Sequence, residues 1–203
     1  TPEESIPWNL EAFARLARRS QEASAGRGSL APLTLCTGRP QPYAEVLIKL
    51  LDVRAPVICE NGAVIYSLHD NRARYAPGVD EERILGLRRV RGFLETEVLP
   101  RFPQACIQFG KEAQISVFSK QPEVFQSIRP LVDEFLAGQD GLRLDISASH
   151  YYLNLSLAGV DKGRAIRHLL DELNVSRAEV AGIGDTVGDL PLREAVGFFA
   201  CPA

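Results

Sequence analysis

Methionine is missing altogether from these 203 residues, and tryptophan occurs once. A chain that starts at Thr1 without methionine is expected to be part of a longer protein. Its end at Cys201-Pro202-Ala203, just after an apolar stretch that should enter a strand, points the same way. Cysteine is sparse: Cys36, Cys59, Cys106 and Cys201 are scattered, with no CxxC pair. That argues against a disulfide framework and for reduced thiols in a cytoplasmic protein. Cys36 and Cys59 lie in apolar runs and read as core residues. Positive charge is not in excess, since the net charge is −3. No basic field therefore speaks for nucleic acid or an anionic membrane as partner. No apolar run reaches membrane-spanning length, and the N-terminus has no signal-peptide pattern. The three histidines show no metal-ligand spacing. There is no Ser/His/Asp or Cys/His arrangement, no GxGxxG and no P-loop.

Hydrophobic residues make up 45% of the chain and charged residues 24%, enough apolar material for the core of a globular protein. The length leaves room for one large domain or two small ones. The most informative stretch is Ala181 to Leu190, AGIGDTVGDL. Val180 to Ile183 is small and apolar, as a buried strand end would be. Asp185 and Asp189 follow in the frame Gly-Asp-x-x-x-Asp. Gly184 and Gly188 let the backbone turn tightly. Asp189 stands where an N-cap would, ahead of Leu190-Pro191-Leu192-Arg193-Glu194. Two acids thus share a loop between a strand and a helix, at the edge where open α/β sheets bind ligands. Oxygen ligands on such a loop suit Mg²⁺, which takes one or two carboxylates plus phosphate oxygens. Two capping aspartates on an ordinary turn would read the same way.

The rest of the chain alternates strands and helices. A helix around Trp8 to Arg19 precedes a Gly/Ser/Ala loop, then a short strand Leu33 to Cys36. Tyr43 to Leu51 is helical, Pro56 to Cys59 is a strand, and Glu60-Asn61-Gly62-Ala63 turns into a strand Val64 to Tyr66. This rhythm predicts a parallel sheet with crossover helices. Then the pattern changes to helix (Glu81 to Val98), two strands (Ala105 to Phe109, Gln114 to Phe118), helix (Pro122 to Leu136) and two strands (Leu142 to Ser147, Tyr151 to Leu157). That order describes an α+β insert with an antiparallel sheet. The first rhythm returns with a helix Arg164 to Leu173, the strand into Gly184 and a strand Val196 to Ala200. The expected fold is an α/β, Rossmann-like core of residues 1–68 and 159–203, interrupted by an α+β cap of residues 69–158.

Three turns could converge on one edge of that core: Thr37-Gly38-Arg39, Asp161-Lys162-Gly163 and Gly184 to Asp189. They offer a hydroxyl with a backbone N–H, a cation at a helix start, and paired acids. That set fits a phosphate dianion with a divalent metal. A cation at a helix N-terminus opposes the helix dipole, so Lys162 asks for an anion nearby. Asn61 is either turn chemistry or a ligand contact. His168 reads as surface, as do His69 and His150.

Together these segments resemble the haloacid dehalogenase superfamily of phosphatases, in its Cof-like and sucrose-phosphatase-like branch. Thr37-Gly38-Arg39 looks like the second motif of that family. Glu60 to Tyr66 looks like the hairpin before its cap. Asp161-Lys162-Gly163 looks like the third motif and Gly184 to Asp189 like the fourth, with Gly188 where asparagine is commoner. The resemblance implies a Mg²⁺-dependent phosphatase for a small phosphorylated metabolite. Thr37 and Lys162 would be catalytic. Thr37, Gly38, Arg39, Asn61 and Lys162 would bind substrate. Asp185 and Asp189 would serve the metal, Asp185 as ligand and Asp189 in support. The family's nucleophile and its acid/base partner are two aspartates of a first motif, expected here upstream of Thr1. A cap of this kind closes over the site and selects the substrate; Arg88, Arg89, Lys111 and His150 are candidates for such contacts, or plain surface charge. A non-catalytic phosphometabolite binder and a phosphomutase or phosphotransferase of the same family are the competing expectations. The protein is expected to be a monomer or homodimer.

Overall fold

In the computed structural model, which describes residues 7–139 and 141–202, the chain forms two units: Pro7–Pro77 with Val160–Ala203, and Gly78–Gly159. The first unit begins with α1 (Leu10–Ser24), whose N-cap Asn9 accepts the Ala12 N–H at 3.0 Å. Its C-terminal half is tied to α2 (Gln41–Leu51), where the Ser20 hydroxyl donates to the Leu51 carbonyl and the Ser24 hydroxyl to that of Asp52. Asp52 adopts a left-handed conformation (φ 51°) and ends α2. Strands β1 (Val57–Cys59), β2 (Val64–Ser67) and β3 (Arg72–Tyr75) then form an antiparallel sheet in the order β1-β2-β3.

Two expectations change here. The strand expected over Leu33 to Cys36 is reduced to a single parallel bridge between Cys36 and Ile58. Ile58 donates to the Leu35 carbonyl and Thr37 donates back to Ile58, each at 2.8 Å. On one side Thr34 gives its hydroxyl to the Pro56 carbonyl; on the other the chain turns away toward Pro40, which has no N–H for a ladder. The sheet also runs past residue 68. β3 is exposed along its whole length, so it carries no apolar alternation to read, yet it pairs fully with β2. The first unit therefore extends to Pro77, where the sequence suggested an edge near Leu68.

After the insert the chain returns as α5 (Lys162–Leu173), β8 (Ala181–Ile183), α6 (Leu190–Ala195) and β9 (Phe198–Ala200). β8 and β9 pair in parallel, with Ala181 opposite Phe198 and Ile183 opposite Ala200. Ile166, Leu169 and Leu170 of α5 and Leu192 and Ala195 of α6 share a core with Ile58 and Ile65. Gly182 and Phe199 face that core. The other face of the pair is open: Ile183 is 78% exposed and Phe198 66%. The apolar run Val180 to Ile183 is thus buried on alternate residues only, not throughout.

The second unit is a four-stranded antiparallel sheet in the order β4-β5-β7-β6, from β4 (Ala105–Ile107), β5 (Gln114–Ser119), β6 (Leu144–Ser149) and β7 (Tyr152–Leu157). α3 (Glu81–Phe93) continues as a wider helical turn to Val98, and α4 (Phe125–Ala137) carries Phe135, which stacks on Phe93 at 4.2 Å. Ile115, Val117, Leu153, Leu155 and Leu157 are buried. Between them Gln114 pairs across with Ser156 (2.8 Å) and Ser116 with Asn154 (2.6 Å), while the buried Lys111 ammonium donates to Gln114 and Ser116. Period-two alternation made this sheet readable from sequence. The whole chain is of the α/β class with parallel and antiparallel pairing.

Candidate active site

Thr37 follows the residue that bridges to β1, so the turn after it hangs off the sheet. Its hydroxyl accepts the Arg39 N–H at 3.1 Å, a local side-chain turn that hydroxyls commonly make. The Thr37 carbonyl accepts the Asn61 N–H and the Arg39 carbonyl accepts the Glu60 N–H, both at 3.1 Å. The two carbonyls face the 60–62 turn. The Arg39 guanidinium lies 5.7 Å from the ring centre of Tyr43, at the start of α2.

That turn is conformationally unusual. Glu60, Asn61 and Gly62 have φ values of 50°, 55° and 109° in succession. Only glycine adopts this region freely, and asparagine tolerates it. Such conformations persist where the surroundings over-determine them. The surroundings are visible: a β-carbon on Gly38 would meet the Asn61 side chain at 2.9 to 3.2 Å, and one on Gly62 would overlap the carbonyl of Asp161. The 60–62 turn is therefore pressed against the Thr37-Gly38-Arg39 turn and against the start of α5.

α5 opens with Asp161 as N-cap, its carboxylate accepting the Arg164 N–H at 2.8 Å. Lys162 is the first helical residue and is 8% exposed. Its ammonium donates to Asp189 Oδ1 at 2.6 Å. Asp189 Oδ2 accepts three more bonds, from the N–H of Asp185, the N–H of Thr186 and the Thr186 hydroxyl, at 3.0 to 3.1 Å. Asp189 does not cap α6, as its place before Leu190 suggested; its side chain turns back into its own loop and makes a reciprocal box with Thr186. Burial works to raise the Asp189 pKa, but the Lys162 ammonium and the Thr186 donors outweigh it and hold the carboxyl below its ordinary value. Close backbone approach closes the cluster. A β-carbon on Gly184 would overlap Asp189, and one on Gly163 would overlap the Pro191 carbonyl.

Thr37, Gly38, Asn61, Lys162, Asp185 and Asp189 thus belong to one continuous chain of contacts. Cys36 lies at the same rim: burial raises its thiol to about 12, while Lys162 lowers it and Asp189 and Asp161 raise it. The cap candidates all lie in the other unit. Arg88 faces Glu112 at 3.5 Å, Arg89 bonds Gln139, Lys111 belongs to the Gln114–Ser116 network, and His150 sits edge-on to Tyr151. His168 pairs with Glu172 at 3.1 Å on the far stretch of α5.

Donor chemistry tests the fit of a metal. Both Asp189 oxygens are taken by protein donors, whereas Asp185 is exposed and its carboxylate makes no hydrogen bond among the described residues. No group of three or more His, Cys, Asp or Glu residues that could hold an ion occurs among the described residues. One free carboxylate on this loop would suit Mg²⁺, which is content with one or two carboxylates and fills its other positions with water or substrate oxygens. Two contributors escaped the sequence reading. Thr186 was passed over although Thr-x-x-Asp is a capping-box spelling. Glu60 gives no local sign that it must be left-handed.

A family model described as haloacid dehalogenase-like hydrolase matches residues 30–87 and 113–201. A phosphoglycolate phosphatase of Archaeoglobus fulgidus is 26% identical over 170 residues, 82% of this chain and 67% of that protein. Among solved structures, a Thermoplasma acidophilum protein superposes with a TM-score of 0.65 at 21% identity, covering 95% of this chain and 76% of that one. The sucrose-phosphatase of Synechocystis, solved with sucrose and phosphate, gives 0.58 at 19% identity over 91% of this chain and 74% of its own. Four turns in the expected order and a family match over most of the length agree, and the chain belongs to the haloacid dehalogenase-like hydrolases.

Proposed function

We propose that the protein is a Mg²⁺-dependent phosphatase acting on a small phosphorylated metabolite, a sugar phosphate or related phosphate monoester. The observation that carries this reading is the contact chain from Thr37 through Asn61 and Gly62 to Lys162, Asp189 and Asp185. The phosphatase names of relatives in Archaeoglobus and Synechocystis support it. The Thr37 hydroxyl and the Gly38 N–H bind phosphate oxygens, and Lys162 adds a compact positive charge beside them. Asp189 anchors the Lys162 ammonium through one oxygen and the metal loop through the other. Asp185 would hold Mg²⁺, which when bound neutralises charge that builds up on the phosphoryl group. The family resemblance calls for an aspartate nucleophile and an aspartate acid/base in an Asp-x-Asp motif, which does not occur in these 203 residues. In such a motif the first carboxylate attacks phosphorus and expels the alcohol, which takes a proton from the second aspartate; that aspartate then takes a proton from water, whose oxygen attacks the aspartyl-phosphate, releasing phosphate and restoring the first carboxylate.

In the full-length protein, Asp185→Ala abolishes Mg²⁺-dependent phosphate release from an aryl phosphate. Unchanged turnover overturns the assignment. Absence of any Asp-x-Asp strand upstream favours a phosphometabolite binder instead. Product analysis separates hydrolysis from transfer to a second hydroxyl.

A further inference from the structure

We infer that Asn61 is a positioning residue for phosphate, acting through Gly38 rather than by touching the ligand. The inference rests on the phosphate-site reading above and assigns a cause to the aim of one of its donors. A peptide unit is planar and trans, so its C=O and N–H point in opposite directions; no cis bond occurs among the described residues. The Thr37 carbonyl accepts the Asn61 N–H at 3.1 Å. The N–H on the same peptide belongs to Gly38, so it must point away from the 60–62 turn, into the space where a phosphate would bind. It makes no hydrogen bond among the described residues.

The Asn61 side chain also lies against Gly38, on the side where a side chain would stand. A β-carbon on Gly38 would meet Asn61 Oδ1 at 2.9 Å and Nδ2 at 3.1 Å, so the amide fills the space a side chain at 38 would need. Glu60 adds a second clamp, its N–H on the Arg39 carbonyl at 3.1 Å. On its other flank the turn abuts Asp161 and the Lys162 nitrogen through Gly62. Three left-handed residues in a row keep the turn in a shape that reaches both neighbours at once. The turn thereby sets the donor at 38 and the cation at 162 in one register. Preorganised donors of this kind bind charge without moving when it arrives.

Asn61→Gly separates positioning from turn chemistry, because glycine keeps the left-handed conformation at φ 55° and removes only the amide side chain. In the full-length protein, the inhibition constant of inorganic phosphate against aryl-phosphate turnover rises about tenfold in Asn61→Gly, the low end of what one hydrogen bond to a charged group contributes. The thermal midpoint and the Mg²⁺ concentration for half-maximal activity stay at wild-type values. Unchanged phosphate inhibition in Asn61→Gly overturns the inference while leaving the phosphatase reading intact. A wild-type protein that releases no phosphate from the aryl phosphate overturns the phosphatase reading as well.

Discussion

Asp189 keeps both of its oxygens on the protein, one on Lys162 and one on the loop that begins at Asp185. Their side chains are 8% and 10% exposed, so the pair is nearly out of water. Removing one member of such a pair strands the other charge. Asp189→Ala is therefore expected to cost about 3–5 kcal/mol in denaturant unfolding. Because the Asp189 pKa is held below 3.8 in the folded state, its contribution is fully present above that value. It disappears as the pH falls through the folded-state value, so the stability difference between wild type and Asp189→Asn should be constant above 3.8 and shrink only as acid carries the pH below it. The cysteines run the other way. Burial lifts the thiols of Cys36 and Cys59 to about 12 from 9.0, so each favours the native state below pH 9 and loses that contribution as the pH rises from 9 toward 12. At neutral pH a thiol reagent should modify the exposed Cys106 and Cys201 in the native protein and leave these two until it unfolds.

At the scale of elements, the site depends on how α5 begins. Its Asp161 cap is exposed and local, so Asp161→Ala should cost about 1 kcal/mol, in the usual range for an N-cap. Gly163, two residues on in the same first turn, is a different matter. It lies against the Pro191 carbonyl of α6, and Gly163→Ala forces the two helices apart; over-packing of this kind costs about 1–3 kcal/mol and should also weaken the Lys162–Asp189 bond that spans them. A lowered unfolding midpoint together with reduced phosphate affinity would be the signature. The reading of these elements from sequence worked where an apolar period was present. α5 buries Ile166, Leu169 and Leu170 at helical spacing, and β7 alternates with period two. It failed for β3, which is a strand by hydrogen bonding alone, and for Leu33 to Cys36, where one bridge is all that forms.

Taken as a whole, the chain buries two separate cores, and each has its own most sensitive positions. Leu155, fully buried in β7, is the natural probe of the Gly78–Gly159 unit. Leu155→Ala should destabilise that sheet by about 2–5 kcal/mol, read as faster amide exchange along β5, β6 and β7. Among the described residues no helix is long and apolar enough to cross a membrane. The motifs at Thr37, Lys162 and Asp185 to Asp189, their order and the insertion between them were all legible in one dimension, because each is a short run whose residue types constrain the backbone locally. What the residues do to one another was not. Asp185 and Asp189 look alike in sequence, yet one is exposed and the other is consumed by Lys162, a partner 27 positions away. Glu60 and Asn61 are held left-handed by Thr37, Arg39 and Asp161, none of them adjacent. Local chemistry decides where the chain turns and what each turn offers, but charge pairing and close backbone approach act through space, so only the folded chain could show one acid left exposed and the other tied to Lys162, and set the shape of the 60–62 turn.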